Sequence, residues 1–380
     1  MTDNEYELKK EEVLNDAILK GVIWGDEFIS GKFNLMSASL YNFLPKIAYE
    51  RHEDIFRNIS INQKLSLLEQ GYLNIQNRVV YENFSPELLN TLKNKSGIIC
   101  TFHLGSYRLI NQFLLLNKMP FTIVASKAVV ESQTEEFINI RDKVDAQDYD
   151  LIKIIDAESE HAIIKILRDI KAGRILVFYI DGNMGTGENS PNNPNLINVS
   201  FLGQRLLVRK GIAYISHTAK VPIYTVACFR EKLDDIRIRF FEPIYPKPFS
   251  SRNEYAEFAT QKIYHYIEPI IKKHPEQWEA WLYIHKAINF SDEPDSEEII
   301  SDLSIPDESS LFALNLREFG VFKLLECTYL FRKKRFKSYL IDLNLFNFLK
   351  KSITKPIKRN EINEVVFSQL YQNRVLITAQ

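Results

Sequence analysis

The sequence predicts an α/β fold: a central sheet flanked by helices, a helical N-terminal region before it and a small C-terminal α+β domain after it. Three observations predict this. Short apolar runs alternate with amphipathic stretches between residues 97 and 271, which is the rhythm of strands and the helices that cover them. Before that, apolar residues recur at helical spacing, as in Leu14, Ile18 and Val22. Beyond it, Ser291 to Ser310 is acidic, rich in serine and proline and free of aromatics, after which apolar rhythm returns.

Taken in order, residues 1–90 read as a helical region packed on the core, with Leu65, Leu68 and Ile75 repeating the one-face pattern less regularly. The core domain spans 91–290. Gly97 to Phe102 reads as a buried strand, Leu109 to Leu116 as the helix after it, Phe121 to Ala125 and Ile152 to Ile155 as further strands. The helix His161 to Lys171 ends at Gly173, because glycine adopts the left-handed conformation that closes helices, and Arg174 to Ile180 is the next strand. Lys171 and Arg174 sit at that helix end, where cations are favoured without any function. Gln204 to Ala219 reads as a helix, Pro222 to Phe229 and Ile236 to Phe241 as strands, and Tyr255 to Ile271 as the closing helix. Residues 291–310 form an acidic linker. In the domain 311–380, Leu340, Leu343, Phe346 and Leu349 fall near one helical face, Thr354 to Glu361 turns into a second helix, and Arg374 to Thr378 is a terminal strand.

Composition excludes several classes. The chain has 380 residues and a formal net charge of -1, so nothing global demands nucleic acid or an acidic membrane. Its three cysteines, Cys100, Cys228 and Cys327, are too scattered for a disulfide framework or a thiolate metal site, which favours a reduced, cytoplasmic setting. No His, Asp and Glu cluster has metal-ligand spacing. MTDNEYELKKEEVLND holds no apolar signal segment. The most apolar stretch, Ile212 to Phe229, carries His217, Lys220 and Pro222, and reads as helix, turn and strand rather than a span. Membrane contact is expected at most at the periphery, on the inner-membrane surface.

Two strand ends carry the candidate chemistry. Cys100-Thr101-Phe102-His103-Leu104-Gly105-Ser106-Tyr107 ends an apolar strand at a histidine and a small-residue turn. Ile175 to Ile180 opens into Asp181-Gly182-Asn183-Met184-Gly185-Thr186-Gly187. Active residues of such folds gather where strands end and loops begin, so the two openings can form one site. The neutral nitrogen of His103 can take a proton from a hydroxyl, amine or thiol attacking an acyl carbon; a structural histidine fits the same position. The glycines of the second turn permit positive φ and close approach of backbone to ligand. Backbone N–H groups at Gly182, Asn183 and Gly185 could hold a phosphate or a developing oxyanion; a plain loop is the alternative, and Ser106 is a further substrate-binding candidate. The turn lacks the Gly-Lys-Ser/Thr ending of a phosphate loop and does not match the dinucleotide fingerprint. Arg141, Arg205 and Arg209 are cationic candidates for a phosphopantetheine, coenzyme A or lipid phosphate.

Together these segments resemble a known family. Phe102 to Arg108 is similar to the first motif of the lysophospholipid and lipid A acyltransferases. Asp181 to Gly187, followed by Val199-Ser200-Phe201-Leu202-Gly203, resembles the later motif of the lipid A late acyltransferases. His274-Pro275-Glu276-Gln277-Trp278, with Trp281 and His285, is similar to the segment near that family's C-terminal end. The resemblance covers about residues 95–290. It implies a glycerolipid acyltransferase-like fold with a central mixed sheet, no bound cofactor, and acyl transfer from a thioester of acyl carrier protein or coenzyme A, with His103 as general base. The family places Asp or Glu five residues after the histidine; here that residue is Arg108. An acid there would orient the imidazole, whereas an arginine opposes its protonation. Asp181 is the nearest substitute acid, and Arg108 becomes a candidate for binding an anionic substrate. The family's N-terminal membrane anchor is also missing, which favours a soluble acceptor: a peptide, an amino-acid derivative or a carrier-bound intermediate of natural product biosynthesis.

The tail resembles, faintly, the small winged-helix-like peptide-binding domains of peptide-modifying enzymes. Its basic run Arg332-Lys333-Lys334-Arg335 and Lys350-Lys351 would suit an acidic partner such as a leader peptide or carrier protein. The expected activity is therefore acyl transfer to a hydroxyl or amine. The alternatives are a thioester hydrolase, for which no Gly-x-Ser-x-Gly elbow speaks, and a catalytically inactive binding protein on the same scaffold. A nucleic-acid role finds no recognition motif.

Overall fold

The computed structural model describes residues 1–15, 23, 25–132, 150–182, 193–289, 307 and 309–379. Among these the helices are α1 (Asp3–Asn15), α2 (Glu27–Phe43), α3 (His52–Gln70), α4 (Pro86–Asn94), α5 (Leu109–Leu116), α6 (Ala162–Lys171), α7 (Gly211–Ala219), α8 (Arg252–Lys273), α9 (Leu343–Thr354) and α10 (Glu364–Gln372). The strands are β1 (Val79–Glu82), β2 (Gly97–Thr101), β3 (Phe121–Ala125), β4 (Ile152–Asp156), β5 (Ile175–Tyr179), β6 (Leu196–Phe201), β7 (Gln204–Arg209), β8 (Ile223–Lys232) and β9 (Asp235–Phe240). β10 (Leu311–Leu314), β11 (Phe319–Leu324), β12 (Cys327–Arg332), β13 (Lys337–Ile341), β14 (Ile357–Lys358) and β15 (Leu376–Thr378) follow in the tail. The chain divides into two compact units, residues 1–16, 57–280 and 286–289 in the first and 17–56, 281–285 and 290–380 in the second.

The first unit is built on a mixed seven-stranded sheet flanked by helices, in the order β1-β9-β8-β2-β5-β3-β4. β8 and β9 pair antiparallel; every other pair is parallel. β2 lies near the middle because it is apolar on both faces: Ile98, Ile99 and Cys100 are fully buried. Burial of each isoleucine contributes about 1.5–3 kcal/mol. Parallel pairing sends β2 and β5 in one direction, so that Thr101 stands opposite Tyr179 and the residues just after both emerge at the same sheet edge. α6 ends as its sequence predicts, with Gly173 at φ +86. Arg174 is not a surface cation at that helix end. It is 2% exposed and donates to Thr122 Oγ1 at 2.9 Å and to the Phe121 carbonyl at 2.5 Å, bracing the start of β3.

Three local expectations need correction. Gln204 to Arg209 is strand, not helix: it pairs with β6 in a hairpin whose two loop residues, Leu202 and Gly203, have φ of +50 and +79. That is the twist a two-residue hairpin requires; Leu206 to Val208 are buried by the pairing, and only Gly211–Ala219 is helical. Within the region read as helical, Val79–Glu82 pairs parallel with β9 and becomes the sheet's edge. Leu340 lies on β13, 69% exposed, rather than on a helix, because Asp342 caps the helix that starts at Leu343 by accepting from the N–H groups of Asn344 and Leu345.

The second unit holds two three-stranded sheets, β14-β10-β15 and β11-β12-β13, with α9 and α10. Its core is Phe312, Leu349, Ile357, Phe367 and Leu376, all fully buried. α2 belongs here: Asn34 Nδ2 donates to the Val321 carbonyl at 3.0 Å. Lys333, read as part of a basic surface run, is instead buried. Its Nζ donates to Ser37 Oγ at 2.6 Å and to the Leu316 carbonyl, and lies 4.3 Å from the centre of the Tyr49 ring. Burial pushes its pKa down to about 7. Among the described residues no helix is long and apolar enough to cross a membrane.

Candidate active site

β2 delivers His103 and β5 delivers Asp181 to the same sheet edge, two residues past each strand's end. The Ile180 N–H still bonds to the Thr101 carbonyl at 2.9 Å, so the strands remain in register up to the site. His103 Nδ1 lies 2.9 Å from Asp181 Oδ1, and the His103 backbone N–H donates to both carboxylate oxygens at 3.0 Å. Trp278 Nε1 donates to Oδ2 at 2.6 Å. Asp181 is 3% exposed, and a carboxylate buried so deeply needs such donors to replace lost water. An ionised carboxylate only accepts, so Nδ1 must carry hydrogen, which leaves Nε2 with the lone pair of the neutral ring.

The imidazole keeps 21% of its side-chain surface exposed. Tyr107 meets its ring edge-to-face at 4.8 Å and Tyr179 packs at 5.0 Å. Burial is the largest single influence on its ionisation and opposes protonation. Asp181, as charge and hydrogen-bond partner, together with Glu279, outweighs that, so the His103 pKa is raised, with Arg108 a smaller opposing influence.

The segment 277–279 runs antiparallel beside the histidine turn. Gly105 N–H donates to the Gln277 carbonyl and Glu279 N–H to the His103 carbonyl, both at 3.0 Å. Gln277 is itself fixed by a two-bond amide pair with the Arg230 backbone at 2.8 and 2.7 Å. Gly105 has φ +53, and a Cβ there would stand 2.9 Å from Phe229 Cα and 2.8 Å from Gln277 Oε1. Gly105→Ala is expected to lose about 1–2 kcal/mol through the left-handed backbone alone, with further loss from the contact with β8 backbone. Denaturant unfolding measures it; unchanged stability would mean that the turn relaxes freely.

The remaining predicted residues are placed as follows. Arg108 precedes α5; its Nη1 donates to Gln70 Oε1 at 3.0 Å and its guanidinium lies 5.0 Å from the centre of the Tyr107 ring. Ser106 is fully buried, its carbonyl accepting from Leu109 N–H at 2.9 Å and its hydroxyl without a hydrogen-bond partner among the described residues. Gly182 N–H donates to the Tyr179 carbonyl at 3.2 Å, and a Cβ at Gly182 would stand 3.5 Å from His103 Cε1, so its bare backbone abuts the imidazole. Arg205 is exposed on β7, opposite Ser200. Arg141, Asn183 and Gly185 lie outside the described residues. Sequence reasoning assigned no role to Trp278, Glu279, Tyr107 or Tyr179. The His-Pro-Glu-Gln-Trp segment was the available signal for Trp278, and Glu279 follows directly after it. Among the described residues no three His, Cys, Asp or Glu side chains group as metal ligands.

Residues 75–287 match the family model described as bacterial lipid A biosynthesis acyltransferase. The crystal structure of the 1-acyl-sn-glycerophosphate (LPA) acyltransferase PlsC from Thermotoga maritima is similar over 64% of this chain and 95% of its own, at 15% sequence identity and a TM-score of 0.34. No curated protein matches the chain.

Proposed function

The chain belongs to the bacterial lipid A biosynthesis acyltransferase family, and on that footing we propose that it moves an acyl group from a carrier-protein or coenzyme A thioester to a hydroxyl or amine, with His103 as general base and Asp181 as its orienting acid. The observation that carries this is the 2.9 Å contact between Asp181 and Nδ1 of a partly exposed imidazole. Nε2 takes a proton from the acceptor as its oxygen or nitrogen attacks the thioester carbonyl. The tetrahedral oxyanion collapses, the C–S bond breaks, and the departing thiolate recovers the proton from His103. The position of Asp181 answers the loss of an acid at Arg108: the carboxylate arrives from the neighbouring strand instead of the following turn.

Arg108 then serves to hold an anionic part of a substrate, and Arg205, with Arg141, Asn183 and Gly185, remains a donor-binding candidate. For the tail, we propose that docking of an acidic peptide or carrier protein rests on Arg332, Lys334, Arg335, Lys350 and Lys351, without the buried Lys333. The test is mass spectrometry after incubation with acyl-CoA and acyl carrier protein, with and without acceptors. An acylated acceptor supports transfer. Thiol release at the same rate without acceptor indicates a hydrolase, and no turnover with retained partner binding indicates an inactive scaffold.

A further inference from the structure

We infer that Trp278 is a positioning residue for His103: its indole N–H locks the Asp181 carboxylate in the orientation that holds the imidazole, and the segments Val199 to Gly203 and His274 to Trp278 place that indole. The effect on rate rests on the acyl-transfer reading above; the effect on the histidine does not.

Asp181 is held at both oxygens. Oδ1 meets His103 Nδ1 at 2.9 Å, Oδ2 accepts from Trp278 Nε1 at 2.6 Å, and the His103 backbone N–H lies 3.0 Å from each. Among the described residues, two of these donors belong to His103 itself, so the indole is the donor that fixes the carboxylate from outside the histidine. With Oδ2 tied to the indole, the carboxylate cannot turn without taking Oδ1 off the imidazole. The short separation is that of a bond to an ionised acceptor.

The indole is set in place by elements far apart in the sequence. After α8 a single 3₁₀ turn, Pro275–Gln277, delivers Trp278 in extended conformation (φ -99, ψ 114) as the antiparallel partner of Leu104. Its ring meets Phe201 edge-to-face at 5.5 Å. Phe201 meets Tyr264 of α8 at 5.3 Å, and Tyr264 meets Phe102, the residue before His103, at 5.5 Å. All four rings are at most 2% exposed, and close-packed interiors leave such rings few alternative positions. Phe201 ends β6, so the hairpin motif that sequence reasoning singled out reaches the site through this aromatic run. Apolar bulk alone would not need an indole; a buried indole N–H needs an acceptor, and here the acceptor is the carboxylate that orients the base.

The sign of the effect on ionisation follows. The N–H bonds most strongly when the imidazole is neutral, because a protonated ring already draws the carboxylate's charge. Its removal therefore costs the neutral pair more than the protonated pair, and the pair takes up its proton at higher pH. Loss of Asp181 has the opposite sign. The other titratable or charged groups facing the pair are Glu279, Arg108, Tyr107, Tyr179 on β5, Tyr264 on α8 and Cys100 on β2. All of them are common to the native protein and the variants below.

The test replaces Trp278 in the full chain, site-specifically, with 3-benzothienylalanine, in which sulfur stands for the indole N–H and the volume is kept. Trp278→Phe is the natural-residue counterpart. Thiol release from octanoyl-CoA and octanoyl carrier protein, with 6-amino-1-hexanol as acceptor, gives the rate. The ring NMR signals of His103, identified by their loss in His103→Gln, give its titration. Both replacements should lower kcat by about 10- to 100-fold with KM changed less, the scale of one hydrogen bond to a buried charge. The acidic limb of the rate and the His103 midpoint should both move to higher pH. A native rate and midpoint in the benzothienylalanine protein overturn the inference, whatever Trp278→Phe loses, because packing alone then matters. A midpoint that stays or falls overturns it too. No turnover by the native protein counts against the acyl-transfer reading alone, and the midpoint still decides the role of Trp278.

Discussion

His103→Ala is expected to reduce acyl transfer by about 10²–10⁴-fold while leaving the protein folded. On the proposed mechanism the loss follows because Nε2 takes the proton of the attacking acceptor at the end of β2. The fold should persist because the backbone N–H of residue 103 and the indole of Trp278 still satisfy Asp181. His103→Gln keeps more of the side chain's volume and separates loss of basicity from loss of packing. Product mass spectrometry and thermal unfolding on the same samples measure the two effects. Transfer retained in both variants would remove the general base from the mechanism. The pH profile adds a second check. His103 must be neutral to act, and its pKa lies above the ordinary 6.5, so the rate should rise with pH along a limb placed above that value.

Asp181→Asn carries the next largest effect, about 10²–10⁴-fold on transfer, since it removes the charge that stabilises the imidazolium and frees the ring to adopt the wrong tautomer. The acidic limb should move down toward or below 6.5, because burial of the ring, the largest influence on His103, is then no longer outweighed. Stability gives an independent readout. A histidine whose pKa is raised on folding contributes stability that is complete below its unfolded pKa and is lost as pH rises through the folded one. The stability gap between the native protein and Asp181→Asn should therefore be wider near pH 6 than near pH 9. A gap constant over that range, or an unmoved limb, would show that Asp181 and the ring are not coupled.

The pairing of these two residues illustrates how far the sequence could be read. His103 and Asp181 were each visible as polar residues closing apolar runs. Their contact was not, because it depends on β2 and β5 lying side by side, with two intervening strands in the chain placed elsewhere in the sheet. Arg108 looked like a defect at the expected acid position. In the fold that position begins α5, and its guanidinium turns to Gln70 and Tyr107. Glu279 follows directly on the recognisable segment His274 to Trp278, yet nothing in the spacing said that its backbone would pair with the histidine turn. Gln204–Arg209 went the other way: its apolar run suits helix or strand alike, and pairing with β6 decided it.

The acidic stretch expected as a linker lies almost wholly outside the described residues. By itself the sequence determined most of the strand and helix runs of the core, the helix stop at Gly173 and the strand-end position of the one histidine offered as base. These depend on local periodicity, side-chain size and backbone preference, which neighbouring residues specify. Only the tertiary structure decided which carboxylate faces the imidazole, why Lys333 is buried and where residues 277–279 run. Those follow from strand order and from contacts between residues far apart in the chain, where burial and hydrogen bonding, not propensity, set the outcome.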